Sequence, residues 1–179
     1  GIHINKMKCS VVCLIAIAFS CCLKEEVYDR IKQDEEANLF SGMQNDAFLP
    51  DYYELLPYEN DNPQYLFDFA KTLRSAKRYG DSNAILRQAT LVSPDPMFYV
   101  LMGNNYKDMK HYDLAEQAYQ KAYSVMPNRL YPLYQLMMLY HDCGNTQKEK
   151  AMAKRVIEMK PKIESPATRD MKKKAIEII

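Results

Sequence analysis

The sequence predicts an all-α chain: a solenoid of stacked helical hairpins with an N-terminal helix and a C-terminal capping helix. Three observations carry that prediction. Tyr99, Met102, Gly103 and Tyr106 share one helical face, and Ala115, Tyr119 and Ala122 share another, so Pro96 to Pro127 reads as two helices with a tight turn at Lys110-His111. Small residues at Gly103 and Ala115 let the two backbones approach, while Tyr99, Tyr106 and Tyr119 fill the space beside them. Finally, the punctuation repeats, with Pro161 lying 34 residues after Pro127 and Pro96 lying 33 after Pro63.

The elements follow in order. Ser10 to Leu23 is a run of 14 residues without a charge. It is shorter than the roughly 20 needed to span a bilayer and suits the apolar part of an export signal. With a start at Met7, Lys8 supplies the positive end, and Ala18 to Cys21 forms a loose lipobox with Cys21 as the lipidated residue. A membrane-anchor helix cut short, or an ordinary buried helix, are the alternatives. The first two readings place the chain in the periplasm or otherwise outside the cytoplasm, attached to a membrane. Residues 1–23 are accordingly set apart from a domain at 24–179. Glu25 to Leu39 reads as a helix ended by Ser41-Gly42, and Phe48, Tyr52, Leu55 and Leu56 share a face of the next, with Pro50 in its first turn. Together they form a degenerate hairpin over 24–62.

Three clearer hairpins occupy 63–95, 96–129 and 130–163. In the first, Leu66, Phe69, Ala70 and Leu73 face Ser82, Leu86 and Ala89 across a turn at Tyr79-Gly80. Buried Ser82 needs a partner for its hydroxyl, most simply a carbonyl one turn earlier. In the third, Leu133, Leu136, Met137 and Tyr140 face Ala153 and Val156 across Gly144. Here Met137 replaces the small residue and Glu149 stands at an alanine position. Because a charge is not buried unpaired, the second helix is expected to open slightly or begin late, with Ala151 taking part of the role. Ser165 then caps a last helix over 165–179, with Pro166 at its first position and a stripe of Met171, Ala175, Ile176 and Ile179.

The small residue eight into the first helix, the tyrosine three later, then alanine, aromatic, alanine and closing proline of residues 96–127 resemble the tetratricopeptide repeat, whose period is about 34 residues. Tyr99 stands where tryptophan is commoner. That resemblance implies a protein-interaction domain whose concave groove is lined by the first helix of each hairpin. Its residues would be Gln64, Phe67, Lys71, Arg74 and Ser75, then Met97, Val100, Asn104, Lys107 and Asp108, then Tyr131, Tyr134, Met138, His141 and Asp142. Aromatics mixed with Lys71, Arg74 and Lys107 suit an extended peptide or a carboxylate-bearing chain.

At the joint PNRLYPLY, Pro127 ends one helix, Asn128 caps the next and Pro132 sits in its first turn. Arg129 either grips a carboxylate or phosphate, or bonds the last carbonyls of the preceding helix. This joint, with FYVLMGNNY before it and a lysine-rich helix leading to KIES after it, resembles the extracytoplasmic C-terminal region of the O-antigen polymerase or ligase-like membrane proteins of Bacteroidetes. The resemblance implies an accessory tail acting with surface-glycan assembly machinery. Polymerisation or ligation itself would belong to a multi-spanning part preceding Ile2, which is not in this sequence.

Net charge +1 gives no reason to expect nucleic acid as a partner, but the charge is unevenly spread. Residues 29–61 carry nine acidic and two basic side chains, and residues 144–179 carry ten basic and five acidic. Unlike ends suit head-to-tail association, and the apolar N-terminal segment offers a second route to self-assembly. The scattered histidines, the absence of a phosphate loop and the lack of paired-cysteine spacing argue against catalysis, a metal or a cofactor. His141-Asp142-Cys143 is contiguous, and adjacent helical residues point in different directions.

Overall fold

A computed structural model describes residues 22–33 and 45–179. Cys21, most of the apolar stretch 10–23 and the Ser41-Gly42 stop lie outside the described residues. The chain divides into two compact units, Gly1–Tyr58 and Glu59–Ile179.

In the first unit, residues 22–33 are helical (α1), so the helix begins before Glu25. A 3-10 turn at Asn45–Phe48 leads into α2 (Leu49–Glu59), which buries Leu49, Tyr52 and Leu55. Lys24 Nζ lies 3.4 Å from the centre of the Tyr58 ring. Among the described residues, no helix is long and apolar enough to cross a membrane.

The second unit is a run of antiparallel pairs: α3 (Pro63–Ser75) with α4 (Tyr79–Val92), α5 (Pro96–Asp108) with α6 (Tyr112–Val125), and α7 (Leu130–Asp142) with α8 (Thr146–Glu158). Helix α9 (Pro166–Ile178) closes the run against α7 and α8. Several helix starts have a local cause. Asn62 accepts from the Gln64 and Tyr65 amides, Asp95 from Met97, and Pro63 and Pro96 occupy first helical positions where no donor is missed. Ser165 and Thr168 form a reciprocal capping box at α9. The first hairpin turns at Lys77 (φ +59°), the second at Lys110 (φ +61°) and the third at Gly144 (φ +72°). Tyr79 and Gly80 therefore belong to α4 rather than to the turn, because Lys77 takes the left-handed conformation that glycine usually supplies.

The core is set by complementary sizes at two positions. A Cβ on Gly103 would meet the ring of Tyr119, so Gly103 accommodates an aromatic face rather than an opposing alanine. One repeat later the sizes exchange: Met137 and Ala153 are both fully buried in one cluster. Met137 therefore fits the third hairpin without overpacking, since the smaller volume at Ala153 offsets it. In the first hairpin the same two positions hold Ala70 and Leu86, also fully buried.

Three further expectations change. Ser82 Oγ donates to the Ala70 carbonyl of the facing helix at 2.8 Å, not to its own helix. Glu149 lies in the first turn of an α8 that starts on time at Thr146, with Ala151 exposed, because His141 Nδ1 stands 2.7 Å from its carboxylate. In α9 the packing stripe is Met171, Ala175 and Ile178, leaving Ile176 and Ile179 exposed.

Candidate functional site

Helices α3, α5, α7 and α9 touch in succession within the second unit, so their shared side forms the inner face. Its cations are tied to carboxylates. Lys71 Nζ lies 2.7 Å from Asp68, one turn earlier on its own helix. Arg74 reaches Asp108 on the next repeat at 2.6 Å, and Lys107 reaches Asp142 on the one after at 3.1 Å. The last two pairs join residues 34 and 35 apart, so they are struts between successive first helices. On the second helices, Lys148 reaches Glu116 at 3.1 Å.

Behind Arg74 lies a polar network that sequence reasoning missed. Arg74 donates to Asn105 Oδ1 at 3.0 Å, and Asn105 Nδ2 donates to both Ser82 Oγ and Asn83 Oδ1 at 2.8 Å. Asn105 is fully buried, and its amide ties the first hairpin to the second with both ends used.

The remaining groove candidates separate by exposure. Val100 is buried in the core with Tyr119 and Leu136, so it offers a ligand nothing. Asn104 accepts from the Tyr119 hydroxyl at 2.7 Å. Half-buried Phe67 leans on Phe98, ring centres 5.7 Å apart, with Lys71 Nζ 5.3 Å from its centre. Tyr131, Tyr134 and Met138 are half-buried along α7, each with one side on a core cluster. The inner face thus shows an apolar and aromatic strip bordered by internally neutralised charges. Burial pushes the phenols of Tyr65, Tyr119 and Tyr140 above their usual range, and a hydrogen bond to Glu116 adds to the effect at Tyr140.

At the joint, Arg129 rather than Asn128 occupies the cap position of α7, and no side chain caps that helix. Arg129 Nε contacts Met126 Sδ at 3.1 Å, and its backbone amide bonds the Met126 carbonyl. Between this joint and the segment entering α9 lies a cleft of about 410 Å³. His141, Asp142 and Cys143 serve Glu149, Lys107 and the Tyr140 carbonyl respectively, so they make no catalytic triad. Among the described residues no group of three potential ligands is placed to hold a metal.

Residues 98–129, the second hairpin almost entire, match the tetratricopeptide repeat family model. The fold is a tetratricopeptide solenoid. Solved structures agree with that fold. A MamA protein superposes with TM-score 0.62 at 15% identity, covering 87% of each chain. A thermophilic tetratricopeptide protein of Thermus thermophilus gives 0.62 at 17% identity, over 79% of this chain and 77% of that one. MamA of Desulfovibrio magneticus gives 0.59 at 17%, over 85% and 90%. Identities this low establish the tetratricopeptide architecture alone. No curated protein sequence matches the chain. Tetratricopeptide arrays are interaction modules whose concave faces hold segments of other proteins.

Proposed function

We propose that this tetratricopeptide solenoid is a non-catalytic adaptor whose inner face holds an uncharged, amphipathic segment of a partner protein. The observation that carries the reading is the pairing of Lys71, Arg74 and Lys107 with Asp68, Asp108 and Asp142. A further carboxylate would meet cations that each already hold one. The attraction for an acidic chain expected from these cations is therefore largely neutralised, and contact falls to Phe67, Tyr131, Tyr134 and Met138. In a pull-down across a salt series, capture should survive added salt and be lost in the Tyr131→Ala, Tyr134→Ala double variant with its helical spectrum intact. Capture that fades with salt and ignores the tyrosines would refute the reading.

The apolar run 10–23, with Cys21 as a lipidation site, and the resemblance at 127–134 support a membrane-attached position outside the cytoplasm. There the adaptor would serve surface-glycan assembly, as the tail of an O-antigen polymerase or ligase-like protein or as a small exported lipoprotein. Metabolic labelling with a fatty acid, lost in Cys21→Ser, tests the lipoprotein form, and absence of label from the parent would exclude it.

Self-assembly is the second reading, favoured by the exposed Ile176 on basic α9 and Ile179 just after it, and by the exposed Tyr53 and Tyr58 on acidic α2. Light scattering should then show salt-sensitive oligomers that vanish with Ile176→Ser and Ile179→Ser. A monomer at every salt concentration would remove this reading.

A further inference from the structure

The cleft beside the joint differs from the inner face in one respect: its cations are not neutralised. Met126, Leu130, Tyr131 and Met171 give it apolar walls, and Arg129 and Lys162 line it as well. Among the described residues, the terminal nitrogens of Arg129 and the ammonium of Lys162 meet no carboxylate, whereas Arg74 and Lys107 each hold one. The Ser165 and Thr168 hydroxyls on the same wall are engaged with each other's backbone in the capping box. The charged donors left to a visitor are thus two cations beside an apolar pocket, with the Asn128 amide and the Tyr131 hydroxyl on the same lining.

We propose that this cleft is a second binding site, sharing Tyr131 with the inner face but otherwise lined by different residues, for a peptide carboxylate adjoining an apolar side chain. Charge complementarity selects the acid, since a guanidinium with both terminal nitrogens available matches a carboxylate in a two-bond fork and Lys162 adds a second positive charge. The walls select the neighbour, because a cleft of about 410 Å³ lined by methionine, leucine and tyrosine accepts one or two branched apolar side chains.

The test uses the full chain with labelled methionine methyl groups, since Met126 and Met171 line the cleft while Met97 and Met138 report on the inner face. The probes are acetyl-Ala-Leu-Leu as free acid, the same peptide as its C-terminal amide, and acetyl-Leu-Asp-Leu amide, which carries its acid on a side chain. The free acid, the aspartate peptide, or both should shift Met126 and Met171, and the plain amide should bind about tenfold more weakly, the worth of a charge-assisted bond. Which acid binds better distinguishes a chain terminus from an internal acidic residue. Arg129 and Lys162 are exposed, so the R129Q, K162Q double variant should keep its fold and lose the preference for acid over amide. Equal binding of acid and amide, shifts confined to Met97 and Met138, or no shift with any peptide at millimolar concentration would each overturn the proposal.

Discussion

Replacing Gly103 with alanine tests the packing of the second hairpin at its tightest point. In an ordinary helix interior the change stabilises by about 1 kcal/mol, because alanine loses less backbone freedom on folding. At Gly103 the new Cβ would press on Tyr119 Cε1 and stand 2.6 Å from Cδ1 and 2.9 Å from Cζ. Carbon atoms rest at about 3.5–4.0 Å, so the ring must retreat by roughly 1 Å. It has little room, being fully buried with its hydroxyl held by Asn104 at 2.7 Å. Overpacking of this kind costs about 1–3 kcal/mol, and setting the helix gain of about 1 kcal/mol against it leaves a net loss of up to about 2 kcal/mol for G103A and more for Gly103→Leu. Urea unfolding of G103A, Y119L and the double variant measures it, and the double variant should be more stable than the two single losses added together. Gly80 is the control: a Cβ there meets nothing within 4 Å, and G80A should gain about 0.5 kcal/mol. A G103A chain about 1 kcal/mol more stable than its parent, the full helix-interior gain, or a strictly additive double variant, would show that Gly103 and Tyr119 do not meet this way.

Other consequences follow from the same structure. Lys110→Gly should stabilise by about 0.5–1 kcal/mol in a thermal melt, since glycine occupies φ +61° without the cost a side chain incurs. Asn105→Ala should cost about 1–3 kcal/mol by urea unfolding, because it strips the buried link between Ser82, Asn83 and Arg74. His141→Ala should destabilise by leaving the Glu149 carboxylate buried without its partner, and adding Glu149→Ala should recover most of the loss. Alkaline pH has a defined sign. The folded phenols of Tyr65, Tyr119 and Tyr140 hold their protons more tightly than an unfolded tyrosine, so their contribution is complete below about pH 10 and declines above it as the unfolded chain ionises. Stability measured above about pH 10 should fall less steeply in Tyr119→Phe than in the parent.

The helices and their pairing are legible because the apolar period is strong: Leu66, Phe69, Ala70, Leu73, Leu133, Leu136 and Met137 are all buried on the faces their spacing assigns. What the pattern hides is the choice of partner. Lys77 turns the chain without glycine, so a reading that looks for glycine places the first turn two residues late. Ser82 bonds the Ala70 carbonyl across the hairpin, twelve residues away, a partner that local helical spacing does not reveal. The struts Arg74–Asp108 and Lys107–Asp142 do leave a signal, a cation and a carboxylate one repeat apart, visible only once charges are compared between repeats rather than along one helix. Glu149 reads as a flaw in the third hairpin because its partner, His141, sits across the turn on the preceding helix.

The central claim, that a partner lies against the apolar strip of the inner face, is tested most directly by site-specific photo-crosslinking in cells. A photoreactive residue at Tyr134 on the inner face of α7 should trap one discrete partner, insensitive to salt in the lysate, while the same residue at Leu91, 88% exposed at the end of α4, should trap none. A discrete partner trapped from position 91 and not from 134 would contradict the account.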